Sequence, residues 1–434
     1  MSGLACARAL QDRGAKVVVL EARDRVGGRT LSRRFGPATF DLGGQWLGAH
    51  QPRLAALAGE LGVKTFRTFD TGKKVLDVAG RTSTYSGTIP TLAPWALLDL
   101  QQALFRAERL ARGVKPASPL AADRALERDG MSLGEWMRTA MHTQVAREVL
   151  ATGIRVVFGA EPDELSLLWV LRYAAAAGNL MRLVEIPNGA QEMRFVEGAQ
   201  SLSIRLAEKL GDSVKLNTPV RSIEDKAGGV TVTTDGGRFD ARFAVIAVPP
   251  ALAGRIAFSP PLPAPRDQLL QRFPMGATVK VLAVYDRAFW RDRGLSGEVV
   301  FTRGPLSVVF DNTSADGEVP CLVAFLVGDP ARRWSLKPEA ARRREVLDAL
   351  VTAFGPEASR PVEVAEQDWS TEPWTRGCPV SNLAAGVMRG VGGLLREPVG
   401  HIHWAGTETA DEWTGYLEGA IEAGRRAANE VLGR

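Results

Sequence analysis

The sequence predicts a mixed fold, α/β plus α+β, in which a parallel-sheet domain is assembled from separated stretches of chain and a second domain is inserted between them. Three observations predict it. At the start, a small-residue helix leads into a β-branched run that ends in an acidic residue; short strands with glycine turns recur from 215 to 248; and a strand, a glycine and a helix close the chain at 401–432. The stretches between these three differ in composition. At 434 residues the chain exceeds one ordinary core, which supports two domains. The expected division is 1–75, 190–250 and 375–434 for the parallel-sheet domain, with 76–189 and 251–374 forming the inserted, mixed-sheet and helical domain.

The elements follow from residue spacing. Between Ser2 and Arg13, Leu4, Ala5, Ala7, Ala9 and Leu10 recur at helical intervals, and Gly14 ends the helix. Lys16 to Glu21 contains Val17-Val18-Val19-Leu20, which reads as a buried parallel strand. From about Pro90 to Ala177 the chain is rich in Ala, Leu, Arg and Glu and predicts several helices. Val220, Val230 to Thr233, and Phe243 to Val248 predict short strands, with turns at Gly228-Gly229 and Asp235-Gly236-Gly237. Pro249-Pro250 stops the last of them. His401 to Ala405 predicts a strand, and the chain from about Gly415 to Leu432 a helix.

Composition excludes several functions. Hydrophobic residues make up 45% and charged residues 24%, the balance of a globular protein. No run of about 18 apolar residues occurs, so no membrane partner is expected. No basic region followed by an apolar run opens the chain, so no secretory signal is expected. The net charge is +5, but Lys and Arg are scattered and do not interleave with aromatics, which argues against nucleic acid. Cys6, Cys321 and Cys378 are far apart and odd in number, with neither disulfide nor metal spacing. No metal is expected, a cytoplasmic location fits, and a homodimer is left open. His142, His401 and His403 read as structural.

The first candidate site lies at the end of the first strand. An acidic residue there accepts hydrogen bonds from a ribose hydroxyl pair in dinucleotide-binding units, and Glu21 stands in that place, about 20 residues after Gly3. A carboxylate suits the task because it only accepts, and can take two donors. The string Glu21-Ala22-Arg23-Asp24-Arg25-Val26-Gly27-Gly28-Arg29-Thr30 follows. Its glycines let backbone approach a phosphate, and Arg29 offers a fixed fork of donors.

With this string the sequence resembles the flavin-containing amine oxidase family, which includes monoamine and polyamine oxidases. Further motifs agree: Asp41-Leu42-Gly43-Gly44-Gln45-Trp46, Trp404-Ala405-Gly406-Thr407-Glu408-Thr409, and Trp413-Thr414-Gly415-Tyr416-Leu417-Glu418-Gly419-Ala420. The resemblance implies a Rossmann-like FAD-binding domain of the GR2-type flavoproteins, with the inserted domain binding substrate. It places Glu21, Ala22, Arg23, Gly28 and Arg29 on the nucleotide, and Gly43, Gly44, Gln45 and Trp46 along the isoalloxazine ring. It places Val220 at the adenine, and Gly406 and Glu408 near the pyrophosphate. The helix beginning near Gly415, with Tyr416 and Leu417 in its opening segment, is implied to aim its N–H groups at the flavin O2 side.

One departure stands out. The family opens with an apolar strand and a GxGxxG turn, whereas this chain opens Met1-Ser2-Gly3, so that Gly3 takes the place of the third glycine. The expectation is a start assigned too late, with about a dozen or more upstream residues restoring strand and turn; the alternative is a truly truncated chain that binds FAD weakly and folds poorly.

The reaction centre rests on the same resemblance. Lys280, in the apolar run Met275 to Val281, matches the lysine that holds a water against flavin N5. Tyr416 matches one of two tyrosines that guide the amine; the other position falls on Pro379, for which Trp374 or Trp46 are the candidate substitutes. Cys378 falls on the cysteine that carries FAD covalently in monoamine oxidases, in a register supported by Trp369. Gln191 matches a glutamine of the substrate cavity. The implied function is FAD-dependent oxidation of a small amine. Hydride passes from the amine-bearing carbon to N5, the imine hydrolyses to aldehyde plus ammonia or amine, and O2 is reduced to H2O2. An L-amino-acid oxidase, with Arg172 or Arg182 for the carboxylate, a carotenoid-type desaturase, and a truncated flavin-free protein remain as alternatives.

Overall fold

The computed structural model describes residues 1–87 and 91–433; Pro90, where the helical stretch was expected to begin, lies outside them. In chain order the elements that shape the site are α1 (Ser2–Gln11), β1 (Val19–Leu20), β2 (Lys73–Val78), β3 (Arg81–Tyr85), α2 (Pro94–Arg112), α3 (Gln144–Phe158) and α4 (Leu167–Ala177). They continue with β4 (Val214–Lys215), β5 (Ala244–Ile246), β6 (Thr278–Val284), β7 (Leu295–Phe301), β8 (Val308–Asp311), β9 (Cys321–Val327), β10 (Glu363–Asp368), β11 (Ile402–Trp404) and α5 (Leu417–Leu432).

Two parallel pairs form the first region. β1 pairs with β4, and β5 pairs with β11, and the two pairs are not hydrogen-bonded to each other. Beside them lies a four-stranded sheet built from Val220–Lys226, Gly229–Thr234, Gly237–Ala241 and Ala257–Ser259. Helix α1 packs along α5 through small residues: Ser2, Ala5 and Cys6 meet Gly424, and Cys6 and Leu10 cluster with Ala427 and Ala428. A Cβ on Gly424 would stand 2.4 Å from the Ser2 carbonyl oxygen, so only glycine allows this approach. Alanine at nearby positions keeps helix propensity high while leaving the two axes close.

The second region centres on a seven-stranded sheet in the order β10-β6-β9-β8-β7-β2-β3. All neighbours are antiparallel except β2 and β7. All seven residues of β6 are buried, because both faces of this strand are covered and both its edges are paired. That is why its sequence is an apolar run rather than an alternation. The helices α2, α3 and α4 pack together as a separate cluster whose core includes Leu100, Ile154, Phe158, Trp169 and Tyr173.

Several sequence expectations are corrected. The run Val17–Leu20 is not a buried strand: only Val19–Leu20 pairs, and Val18 is 53% exposed, because one edge of β1 meets β4 while the other faces a cavity. The expected boundary between 75 and 76 falls inside β2, which belongs to the seven-stranded sheet. The boundary at 251 also falls early, since Ala257–Ser259 pairs in parallel with the strand that begins at Val220. The last helix begins at Leu417 rather than Gly415, with Tyr416 as its N-cap.

Candidate active site

A large cavity of about 1610 Å³ runs between the two regions. It exceeds the roughly 300–1,000 Å³ of ordinary small-molecule sites and matches the needs of an extended cofactor plus a substrate. At one end its wall is formed by α1, β1, β5 and the strand beginning at Val220; at the other by Trp46, Tyr173, Gln191, Phe310, Phe325 and Tyr416.

The first end is built by short-range geometry. Glu21 is set by its N–H donating to the Lys215 carbonyl, 2.9 Å, just after β1. Its Oε1 accepts from the Arg23 backbone N–H at 3.0 Å, while Oε2 meets no donor among the described residues. Arg23 spans Glu21, Glu372 and Thr375, and so ties the first loop to the distant segment 372–375. Gly27 and Gly28 adopt φ of 111° and 60°, and both line the cavity with Ala22 and Val220. Gly3 lies in the first turn of α1, also on the wall.

Arg29 and Glu408 form the hinge of the site. Arg29 donates to both carboxylate oxygens of Glu408, at 2.8 and 3.4 Å, and to the Pro379 carbonyl at 2.7 Å. Glu408 is fully buried. Arg29 reaches the cavity, but neither Glu408 nor Gly406 is part of its wall. Gly406 backs onto the Val248 carbonyl, and Glu408 acts on the cavity through Arg29. Gly43 and Gly44 line the wall where the strand into Trp46 begins. A Cβ on Gly43 would lie 2.3 Å from the Arg29 carbonyl oxygen, so the motif's glycine is fixed by that crossing.

The second end is almost free of charge. Lys280, on the buried strand β6, is 1% exposed. Its ammonium donates to the Gly43 carbonyl at 2.9 Å and to Gln45 Oε1, and lies 5.4 Å from the Phe325 ring centre and 5.9 Å from that of Trp46. Burial lowers its pKa to about 7, against the opposing pull of the Asp41 carboxylate. Gln45 is held in turn, its Nε2 donating to Asn312 Oδ1 at 3.0 Å. Trp46 stacks edge-on against Phe310, with ring centres 5.5 Å apart, and against Phe325 at 5.7 Å. Tyr416 faces Tyr173 at 6.1 Å, and burial pushes both phenols above their ordinary pKa. Trp374 sits at the other end, over Arg221, so Trp46 and Tyr173, not Trp374, supply the extra aromatic walls here.

Cys378 is half-buried and lines the cavity beside Pro379; burial pushes its thiol up to about 12. Trp369 also lines it and donates from its indole to the Leu42 carbonyl, 2.9 Å. Leu417 and Tyr416 bring the N-terminus of the 16-residue α5 to the wall. Gln191 donates to the Leu183 carbonyl at 3.0 Å and leaves Oε1 buried with no partner, as Trp46 leaves its indole N–H. Both residues line the cavity, where a polar ligand would satisfy these atoms, as buried groups of this kind normally are. Together with the open Glu21 oxygen they fit a flavin nucleotide and a small polar substrate.

Arg172 and Arg182 do not serve the cavity. Arg172 is buried and spends its donors on Pro116, Ala410 and Thr414, and neither arginine lines the wall. Tyr173, Phe310, Phe325 and Asn312 were not singled out from sequence. They come from a helix and from strands where an aromatic or amide residue carries no local signal. Their partners are supplied only by tertiary packing.

Comparison with known proteins agrees with this geometry. A family model for flavin-containing amine oxidoreductases matches residues 1–432. A Mycobacterium tuberculosis protein that carries the name flavin-containing monoamine oxidase AofH is 43% identical over 99% of this chain and 94% of its own length. The flavin-containing amine oxidase A of Bos taurus is 35% identical over 100% of this chain and 83% of its own. A solved putrescine oxidase bound to putrescine and the cyclohexylamine oxidase of Brevibacterium oxydans each superpose with a TM-score of 0.96 at 34% identity, over 100% of this chain and 97% of theirs. The chain belongs to the flavin-containing amine oxidoreductases, and it is an enzyme that oxidises amines with a flavin.

Proposed function

We propose that the chain binds FAD along the cavity and oxidises a small monoamine whose substituents are apolar. Glu21 takes the ribose, Arg29 and the α1 and α5 N-termini face the phosphates and the flavin, and Lys280, Gln191, Trp46 and Tyr416 surround the reacting amine. Bound FAD supplies the hydride acceptor and passes the electrons to O2, giving H2O2. Trp46, Tyr173, Phe310, Phe325 and Tyr416 exclude water and orient the carbon to be oxidised. Lys280 Nζ, with a pKa of about 7, holds or releases a proton at neutral pH.

The observation that carries the substrate class is the charge distribution. Among the described residues the only acidic side chains lining the cavity are Glu21 and Asp240, both at the nucleotide end. The aromatic end therefore offers no carboxylate to a second ammonium. It offers no guanidinium to a substrate carboxylate either, because Arg29 is already paired with Glu408. Burying an unpaired charge there costs several kcal/mol, which disfavours diamines and amino acids alike.

The test is a peroxide-release assay comparing an arylalkyl monoamine, 1,4-diaminobutane and an L-amino acid. We expect kcat/KM for the monoamine to exceed the other two by about 100-fold or more. A diamine preferred over the monoamine overturns the substrate class. Acid precipitation addresses the flavin linkage. With the Cys378 thiol pushed up to about 12, flavin released to the supernatant is expected, whereas colour held in the pellet would mean a thioether at Cys378.

A further inference from the structure

Helix α2 carries a surface that the active site does not use. It buries Ala96, Leu100, Ala103, Ala107 and Ala111, and packs on α3 and α4. Its outer face leaves Trp95, Leu98 and Phe105 exposed by 69%, 67% and 65%. At helical spacing these three share one side with Arg106, Arg109 and Arg112, which are also exposed. The two acidic residues of the helix point elsewhere. Asp99 is buried and accepts from the backbone N–H groups of His142 and Thr143, and Glu108 accepts from that of Leu180. The outer face is thus aromatic and aliphatic toward its N-terminal half, cationic toward its C-terminal half, and free of carboxylates.

We propose that this face of α2 docks the protein onto an anionic lipid surface. Trp95, Leu98 and Phe105 enter the headgroup boundary, and Arg106, Arg109 and Arg112 meet lipid phosphates. An apolar group rich in aromatics beside a basic group is the pattern of a helix lying in the membrane interface. Charge complementarity selects this occupant. None of the three arginines has an ion-pair partner among the described residues, so their charge is left for an anionic surface. Lipid docking of this kind needs no spanning segment, and no helix among the described residues is long and apolar enough to cross a membrane.

Flotation of the whole protein with vesicles tests the proposal. At low salt it is expected to float with phosphatidylglycerol–phosphatidylcholine vesicles and to stay behind with phosphatidylcholine alone. The combined variants W95S/L98S/F105S and R106E/R109E/R112E are each expected to lower the bound fraction about tenfold at unchanged melting temperature. Should either melt lower, Trp95→Ser and Arg109→Glu replace it with smaller losses of the same sign. A wild-type protein that fails to float with anionic vesicles overturns the proposal. So do variants that float as well as wild type, including the case where they only convert a dimer to a monomer in light scattering.

Discussion

The two ends of the cavity solve opposite problems. At the nucleotide end, charges are many, and the two arginines of the first loop are engaged: Arg23 by Glu21, Glu372 and Thr375, Arg29 by Glu408 and the Pro379 carbonyl. At the aromatic end one charged group remains, Lys280, and its partners are a carbonyl and an amide rather than a carboxylate. A paired, densely charged wall holds one fixed ligand tightly. A neutral wall selects among many small molecules by what they would have to desolvate. On the proposed function, the many charges of one end serve the cofactor and the near-neutral wall of the other serves the substrate.

The sharpest way to break this contrast is to remove the lone cation. Lys280→Met is expected to lower turnover about 10²–10⁴-fold, the range for loss of a positioned proton-transfer group, while flavin absorbance stays. Turnover within threefold of wild type would make Lys280 structural only. Breaking the other end is expected to act on stability instead. Glu408→Ala leaves Arg29 without its buried carboxylate, and loss of one partner of a buried pair costs about 3–5 kcal/mol. Because Arg29 is 22% exposed, the lower figure applies. Chemical denaturation with flavin present measures it, and a loss below about 1 kcal/mol would show that Pro379 and solvent suffice for Arg29. A smaller effect is expected from Gln191→Glu, which places a carboxylate on the neutral wall. The diamine-to-monoamine ratio of kcat/KM should rise about tenfold, equivalent to about 1.4 kcal/mol. An unchanged ratio would place Gln191 away from the far end of the substrate.

The same contrast explains what the sequence made legible. The nucleotide end comes from contiguous motifs, because a strand end, a glycine turn and a helix N-terminus are local structures. Glu21, Gly28, Arg29, Gly43 and Tyr416 could be named from spacing and resemblance, and all five line the cavity. Lys280 was half legible, as a lysine in an apolar run; its complete burial follows from the position of β6 between β9 and β10. Tyr173, Phe310, Phe325 and Asn312 were invisible because each lies on a helix or strand where such residues usually fill a core. Glu408 was named near the pyrophosphate, yet the structure puts Arg29 between it and the cavity. Sequence marked the residue and left out the intermediary. The open edge of β1 misled the burial reading in the same way, since burial depends on a neighbour that lies elsewhere in the chain.

The subtlest expected effect is in the pH dependence of stability. Lys280 titrates near 7 in the folded state and at its ordinary value of 10.5 when exposed. Between these values the unfolded chain binds the extra proton, so stability must rise with pH across that window. Below it both states are protonated and the cost of burying the cation is constant; above it neither carries the charge. Lys280→Met lacks this group, and the two proteins share every other titration. The unfolding free energy of wild type minus that of the variant is therefore expected to climb between pH 7 and 9 by on the order of 1 kcal/mol per unit. Denaturant titrations at intervals across that range measure the difference. Parallel curves would mean that Lys280 stays protonated throughout, held by Gly43, Gln45 and the Asp41 carboxylate more firmly than its burial opposes. The aromatic end would then carry a permanent positive charge. The proposed preference for monoamines over diamines would then arise from repulsion of a second ammonium group rather than from the lack of a carboxylate.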